Sequence, residues 1–241
     1  MKTAGRYASG LVVILAFISI LSNWMGYFVL WSTDKGLDIV DIWLKWLTPG
    51  DGIPKELLEV TENSRQTYSV HPWYIRMHLL GQSCTFLVGL FQVLPFSKGQ
   101  RWIGTHRVLG KVYVGLNLVG VTGGFYLLPF TSHGVMSKLG FTLMGSVSLF
   151  CTWMAIWMIK SGNVAAHREW MLRSYFVVVS SYISFRVMWV LLGGGGLVDV
   201  EGNSFRISTW ASWILGLLAA DVYLTIAAWV ERVLEKAKVV Q

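Results

Sequence analysis

Six stretches of the chain are almost continuously apolar: about 8–31, 75–95, 108–130, 136–159, 171–193 and 207–230. About 20 helical residues cross a ~30 Å hydrocarbon core, so each stretch is long enough to span a bilayer. Too little chain remains between them for a soluble domain. The pattern therefore predicts an all-α protein, a polytopic bundle of six transmembrane helices forming one integral membrane domain over residues 1–241. The first run follows Lys2 and Arg6, as a signal peptide would. It continues through "GYFVLW" without a small-x-small cleavage site, which marks a retained helix.

The connections carry patterns of their own. In the long loop 32–74, "LDIVDIWLKWL" spaces Asp38, Asp41 and Lys45 by three and four, with Trp and aliphatic residues on the remaining face. That suits a short helix lying in the membrane interface, ended by the Pro49–Gly50–Asp51–Gly52 turn. Asn163 is a good N-cap for the fifth helix, and "GGGG" at 193–196 closes it. Trp24, Trp31, Trp73, Trp189 and Trp210 fall near the predicted ends on one side, where an aromatic belt sits.

Composition agrees with the pattern. Hydrophobic residues make up 54% of the chain and charged ones 14%, against about a quarter charged in a soluble domain. The charge that remains sets an orientation. Six spans put both termini and the loops 96–107 and 160–170 on one side. With the adjoining helix ends, that side holds Lys2, Arg6, Lys98, Arg101, Arg107, Lys111, Lys160, Arg168, Arg173, Arg232, Lys236 and Lys238. The other side carries Asp34, Asp51, Glu59, Asp199 and Glu201. The positive-inside rule then places both termini in the cytoplasm of a cell-membrane protein. A solvated face beside anionic lipid accounts for the net charge of +7 without a nucleic-acid partner. Cys84 and Cys151 both lie inside spans and outside any C-x-x-C pair, so neither a disulfide framework nor a zinc site is expected.

Few polar residues are left to carry chemistry. His78 opens the second helix and His133 precedes the fourth, both on the outer side; His106 opens the third and His167 the fifth, both on the inner side. Imidazoles on facing helices are the usual axial grip on a haem in a bundle. Arginines beside them would neutralise propionates: Arg107 and Arg168 inside, Arg76 and Arg186 outside. The plainer reading is that His and Arg at helix ends are interface anchors. Arg186 is buried more deeply than an anchor, about five turns past His167, and should face the protein interior with Asp221 as candidate counter-ion. Gln82, Gln92, Tyr113 and Asn117 are placed to hydrogen-bond between helices. Gly120, Gly123, Gly124, Gly140 and Gly145 suit close approach of the third and fourth spans. No hydrolase triad, phosphate loop or metalloprotease motif is present.

Three stretches, "VHPWYIRMHLLGQSCTFLVGLFQVLPF", "HRVLGKVYV" and "AAHREWMLRSYFVVVSSYISFR", carry a resemblance. They are similar to a family of mostly bacterial multi-pass membrane proteins defined only as a domain of unknown function. Its pattern is a His opening one helix with a Gln near that helix's end, then H-R-x-x-G-x-x-Y, then H-R-x-W-M-x-R-S-Y leading a helix that contains an Arg. The matching positions are His78, Gln92, His106, Arg107, Gly110, Tyr113, His167, Arg168, Trp170, Met171, Arg173, Ser174, Tyr175 and Arg186. The resemblance covers about residues 70–190 and implies multi-pass membrane location. His133 is outside the pattern, which weakens a two-haem arrangement. The histidine layout is similar to that of helical membrane cytochromes b, an analogy of arrangement alone.

Three functions fit these residues. The first is a haem-b-binding electron-transfer protein, with His106 and His167 as axial pair on the haem iron and His78 as a ligand at a second site. In that arrangement His106 and His167 face a cytoplasmic-side pocket rimmed by Arg107 and Arg168. An anionic lipid or a quinone headgroup is another occupant of the same pocket. The second is a small-molecule or proton-coupled transporter using Arg186, Asp221 and the histidines, although no inverted repeat is visible. The third is a non-catalytic membrane scaffold.

Overall fold

The computed structural model describes residues 62–63, 66–94, 100–130, 134–194 and 203–239; the first apolar run, the interfacial segment and His133 lie outside them. Among the described residues all regular structure is helical. The long helices are α1 (Pro72–Val93), α2 (Ile103–Leu127), α3 (Gly134–Lys160), α4 (Val164–Val179), α5 (Phe185–Gly194) and α6 (Asn203–Val239). A single π-helical turn, Ser180–Ser184, carries α4 into α5. The predicted fifth span is thus one rod that begins earlier than its apolar run.

Local chemistry sets the ends. Proline in the first turn starts α1, where its missing N–H has no helical partner to lose. Gly162, at φ 79°, supplies the left-handed residue that stops α3. Asn163 then accepts from the Ala166 amide at 3.0 Å and caps α4, as its position in the sequence predicts.

Glycine contacts bring the helices together. A Cβ on Gly81 would lie 2.5 Å from Gly120, and one on Gly123 would lie 2.6 Å from the His78 amide. α1 and α2 therefore cross backbone to backbone, antiparallel. This corrects the assignment of Gly120, Gly123 and Gly124 to the third and fourth spans: they serve α1. Gly140 meets Thr209 and Trp210 of α6, and of these glycines it is Gly145 that packs α3 on α2, against Val121 and Phe125. α4 runs antiparallel to α1, with Tyr175 on Gly89 and Phe86, and Tyr182 on Phe86 and Ser83. α6 runs antiparallel to α4, with Gly216 against Ser180 and Tyr223 against Phe176.

Among the described residues three helical segments are long and apolar enough to cross a membrane: Ile103–Phe130, Gly134–Lys160 and Asn203–Ala237. α1 falls short because it turns polar side chains inward, among them the buried Gln82, Ser83 and Gln92, while α4 and α5, at 16 and 10 residues on either side of the π turn, are each too short alone. The lipid-facing character lies on the others, where Val112, Leu118, Leu139, Leu143, Leu215, Leu218 and Ile226 are exposed. With 37 residues at about 1.5 Å each, α6 is roughly 55 Å long and exceeds a ~30 Å hydrocarbon core. The aromatic-belt reading of Trp189 is corrected: it is 8% exposed, packed with Phe185 and Phe205. Trp73, at 67%, does lie outside the core.

A direct test of the α1–α2 crossing is Gly120→Val, which should cost about 1–3 kcal/mol by forcing the backbones apart. Gly115→Ala, which meets nothing within 4 Å, should stay within about 0.5 kcal/mol of wild type. Thermal unfolding in detergent, followed by size exclusion, reads both.

Candidate functional site

A chain of buried hydrogen bonds joins α2, α3 and α4. The Thr152 hydroxyl donates to the Ser148 carbonyl at 2.8 Å, so the proton in its 2.8 Å contact with Ser174 comes from Ser174. The Tyr113 hydroxyl, 2.9 Å from Ser174, then donates to it. Asn117 Nδ2 donates to Thr152 Oγ1 at 3.0 Å and to Ser148 Oγ at 3.1 Å, and Ser148 returns a bond to Asn117 Oδ1 at 3.3 Å. Tyr113, Asn117 and Ser174 are fully buried. Tyr113 and Asn117 thus act between helices, as their placement predicts. Ser148 and Thr152 are missed by sequence reasoning; their spacing of four, small and polar inside an apolar run, is the signal that marks them.

This seam sets the register of the histidines. Both α2 and α4 are antiparallel to α1, so they are parallel to each other. His106 precedes Tyr113 by seven residues, and His167 precedes Ser174 by seven. Seven residues are two turns to within about 20°, so each histidine lies on the face of the residue that makes the contact. His167 Nδ1 is 2.8 Å from the Ala155 carbonyl. A carbonyl only accepts, so Nδ1 carries a proton, and of the two neutral tautomers this contact selects the one with its lone pair on Nε2. The His106 backbone is held by Gln92, whose Nε2 donates to the His106 carbonyl at 2.8 Å. Arg107 and Arg168 are exposed at the same end of the bundle.

The opposite end gathers His78 and Arg186. His78 Nδ1 lies 2.8 Å from the Gly120 carbonyl, and its ring sits against Gly124, where a Cβ would come within 2.9 Å of Nδ1. Arg186 Nη1 donates to the Tyr182 carbonyl at 2.7 Å and the Ser181 carbonyl at 3.4 Å, with its guanidinium 5.0 Å over the Tyr182 ring. Its charge bears on the His78 imidazole. Arg76 instead covers Trp73, at 5.2 Å.

The expected counter-ion is elsewhere. Asp221 Oδ1 is 2.9 Å from Arg173 Nε, and Glu169 lies 3.7 Å from the same arginine. Arg173 also covers Trp170 at 4.9 Å. The reason is depth: on antiparallel helices Asp221 falls level with Arg173, two turns or more from Arg186. Cys84 and Cys151 are free, and among the described residues no three His, Cys, Asp or Glu side chains group as a metal-ion site.

A helical bundle that is apolar outside and hydrogen-bonded within is the architecture of an integral membrane protein. The chain belongs to the family described as Predicted membrane protein (DUF2306), whose model matches residues 75–224. That span runs from the His78 turn of α1 past Asp221, so it includes both histidine ends and the seam between them. No curated protein and no solved structure matches the chain.

Asn117→Ala removes the centre of the seam. Interhelical bonds in membranes average about 0.6 kcal/mol each, so the loss should be about 1–2 kcal/mol. Combined with Ser174→Ala the cost should fall short of additivity, since both act through Thr152. Unfolding midpoints of the four species give the cycle.

Proposed function

We propose that the chain is a single six-span membrane domain that binds b-type haem between α2 and α4 and passes electrons through the membrane. The observation that carries this reading is His167: its Nδ1 is bonded to a backbone carbonyl, so Nε2 is the nitrogen left for a metal. Metal-bound histidines usually have their other nitrogen fixed in this way, which orients the ring and raises its basicity. The shared two-turn offset from the Tyr113–Ser174 contact supports His106 as the other histidine that would hold the haem.

The roles follow from chemistry. Held by His106 and His167, a haem would supply one-electron transfer. Gln92 positions the first turn of α2 by holding the His106 carbonyl. Arg107 and Arg168, exposed at the rim, suit pairing with propionates, where guanidinium forks meet carboxylates. The seam lies two turns from the histidines, towards the membrane centre, and its hydroxyls are already committed to one another.

The same reading sets both termini and the His106–His167 end in the cytoplasm, following the basic residues gathered there. Labelling of Ser64→Cys from outside, and of Gln241→Cys only after permeabilisation, is the expected outcome. Labelling of Ser64→Cys from the cytoplasm alone overturns the orientation.

The haem assignment is read from the visible spectrum of the purified full chain, produced with ample haem. A sharp reduced-minus-oxidised b-type band is expected, lost in both His106→Ala and His167→Ala and kept in Gly115→Ala. A folded, monodisperse, colourless protein sinks the assignment, as does a band that survives both histidine substitutions.

A further inference from the structure

Arg186 is a cation far from Asp221 and Glu169, the two carboxylates that engage Arg173. Asp221 and Glu169 both engage Arg173, and among the described residues no carboxylate pairs with Arg186. Removing a charge from water without a partner costs several kcal/mol, so a guanidinium held among helices calls for an anion. One of its nitrogens is already used. Nη1 caps the Tyr182 and Ser181 carbonyls at the π-helical turn, and this bond fixes the plane of the guanidinium. The Nε–Nη2 edge makes no bond among the described residues. It is the edge that a planar carboxylate engages with two parallel hydrogen bonds.

A second group stands level with it. Along the antiparallel α1 and α4–α5 pair, Tyr175 meets Gly89 and Tyr182 meets Ser83. One further turn takes Tyr182 to Arg186 and Ser83 to Leu79, beside His78. The His78 Nδ1 is engaged by the Gly120 carbonyl, which leaves Nε2 as the ring's other polar atom, and Gly124 gives the ring room to lie flat. The charge of Arg186 acting on this imidazole agrees with that placement. The π turn matters here too, since such turns recur at ligand sites.

We propose that Arg186 and His78 form a binding site for the carboxylate of a monoanionic ligand, at the end of the bundle opposite the His106–His167 pocket. The charge selects the class. One guanidinium beside one imidazole neutralises one negative charge, and a phosphate dianion would leave a second charge uncompensated in a poorly solvated place. The guanidinium supplies the fork, Tyr182 and the π turn hold it in plane, and His78 sets the second wall. The carboxylate belongs either to a small soluble acid or to a fatty acid arriving from the bilayer. This site stands apart from the haem reading, because its test needs no haem signal.

The test measures thermal unfolding of the purified full chain in detergent at constant ionic strength, with sodium benzoate, sodium oleate or inorganic phosphate replacing chloride. A saturable upward shift in Tm with benzoate assigns a soluble acid; a saturable shift with oleate alone assigns a fatty acid. Arg186→Lys keeps the charge but loses the fork, and should weaken the saturating acid at least tenfold. Should Arg186→Lys fail to fold, His78→Asn gives the second reading, with an expected weakening of about threefold or more. No saturable shift with either acid in the wild type overturns the proposal. So does an undiminished shift in the variants, or phosphate that binds as tightly as the acids.

Discussion

Inside a bilayer no water is available to satisfy a polar side chain, so a buried hydroxyl or amide gains most where its partner stands on a neighbouring helix. The run from Tyr113 through Ser174 and Thr152 to Asn117 and Ser148 meets that condition with every hydroxyl proton assigned. Each bond contributes little, but their directions are linked. A slip of one residue in α2, α3 or α4 would break several at once. The seam therefore fixes rotation and height of three helices, and the other contacts follow from that choice.

The glycine crossings supply what hydrogen bonds cannot, namely close approach. α1 and α2 meet backbone to backbone at Gly81 and Gly120, which brings the Gly120 carbonyl within reach of His78 and lets Gln92 hold the start of α2. The polar ends of the bundle are thus positioned by its apolar middle. At one end two histidines each precede one partner of the Tyr113–Ser174 contact by seven residues; at the other Arg186 holds the π-turn carbonyls and His78 holds the Gly120 carbonyl.

Much of this was legible in the sequence. The apolar runs from residue 75 onwards mark the helices, Asn163 reads as a cap, and the inward polar residues Tyr113 and Asn117 stand out against their surroundings. What the sequence hid is which helices touch. Gly120 and Gly123 read equally well as contacts with the following helix or the preceding one, and only packing separates the two. Asp221 looked like the counter-ion of Arg186 because both are charges in adjacent runs. Helix direction and a height difference of about three turns give it to Arg173 instead. Ser148 and Thr152 were missed because small hydroxylated residues are common in membrane helices, and their partners lie 22 to 35 residues away in the chain.

The π turn at Ser180–Ser184 has a consequence for how the chain tolerates change in length. A turn closed by i→i+5 bonds holds one residue more than the α-helix around it, and each residue turns the helix by about 100°. α5 is therefore out of phase with α4 by one residue. Loss of a single amino acid there would leave a regular, continuous, equally apolar helix. It would also swing Arg186 out of the bundle and carry Phe185 and Trp189 away from Phe205. The turn works as a phase spacer, and within this helix the number of residues is as much a part of the site as their identity.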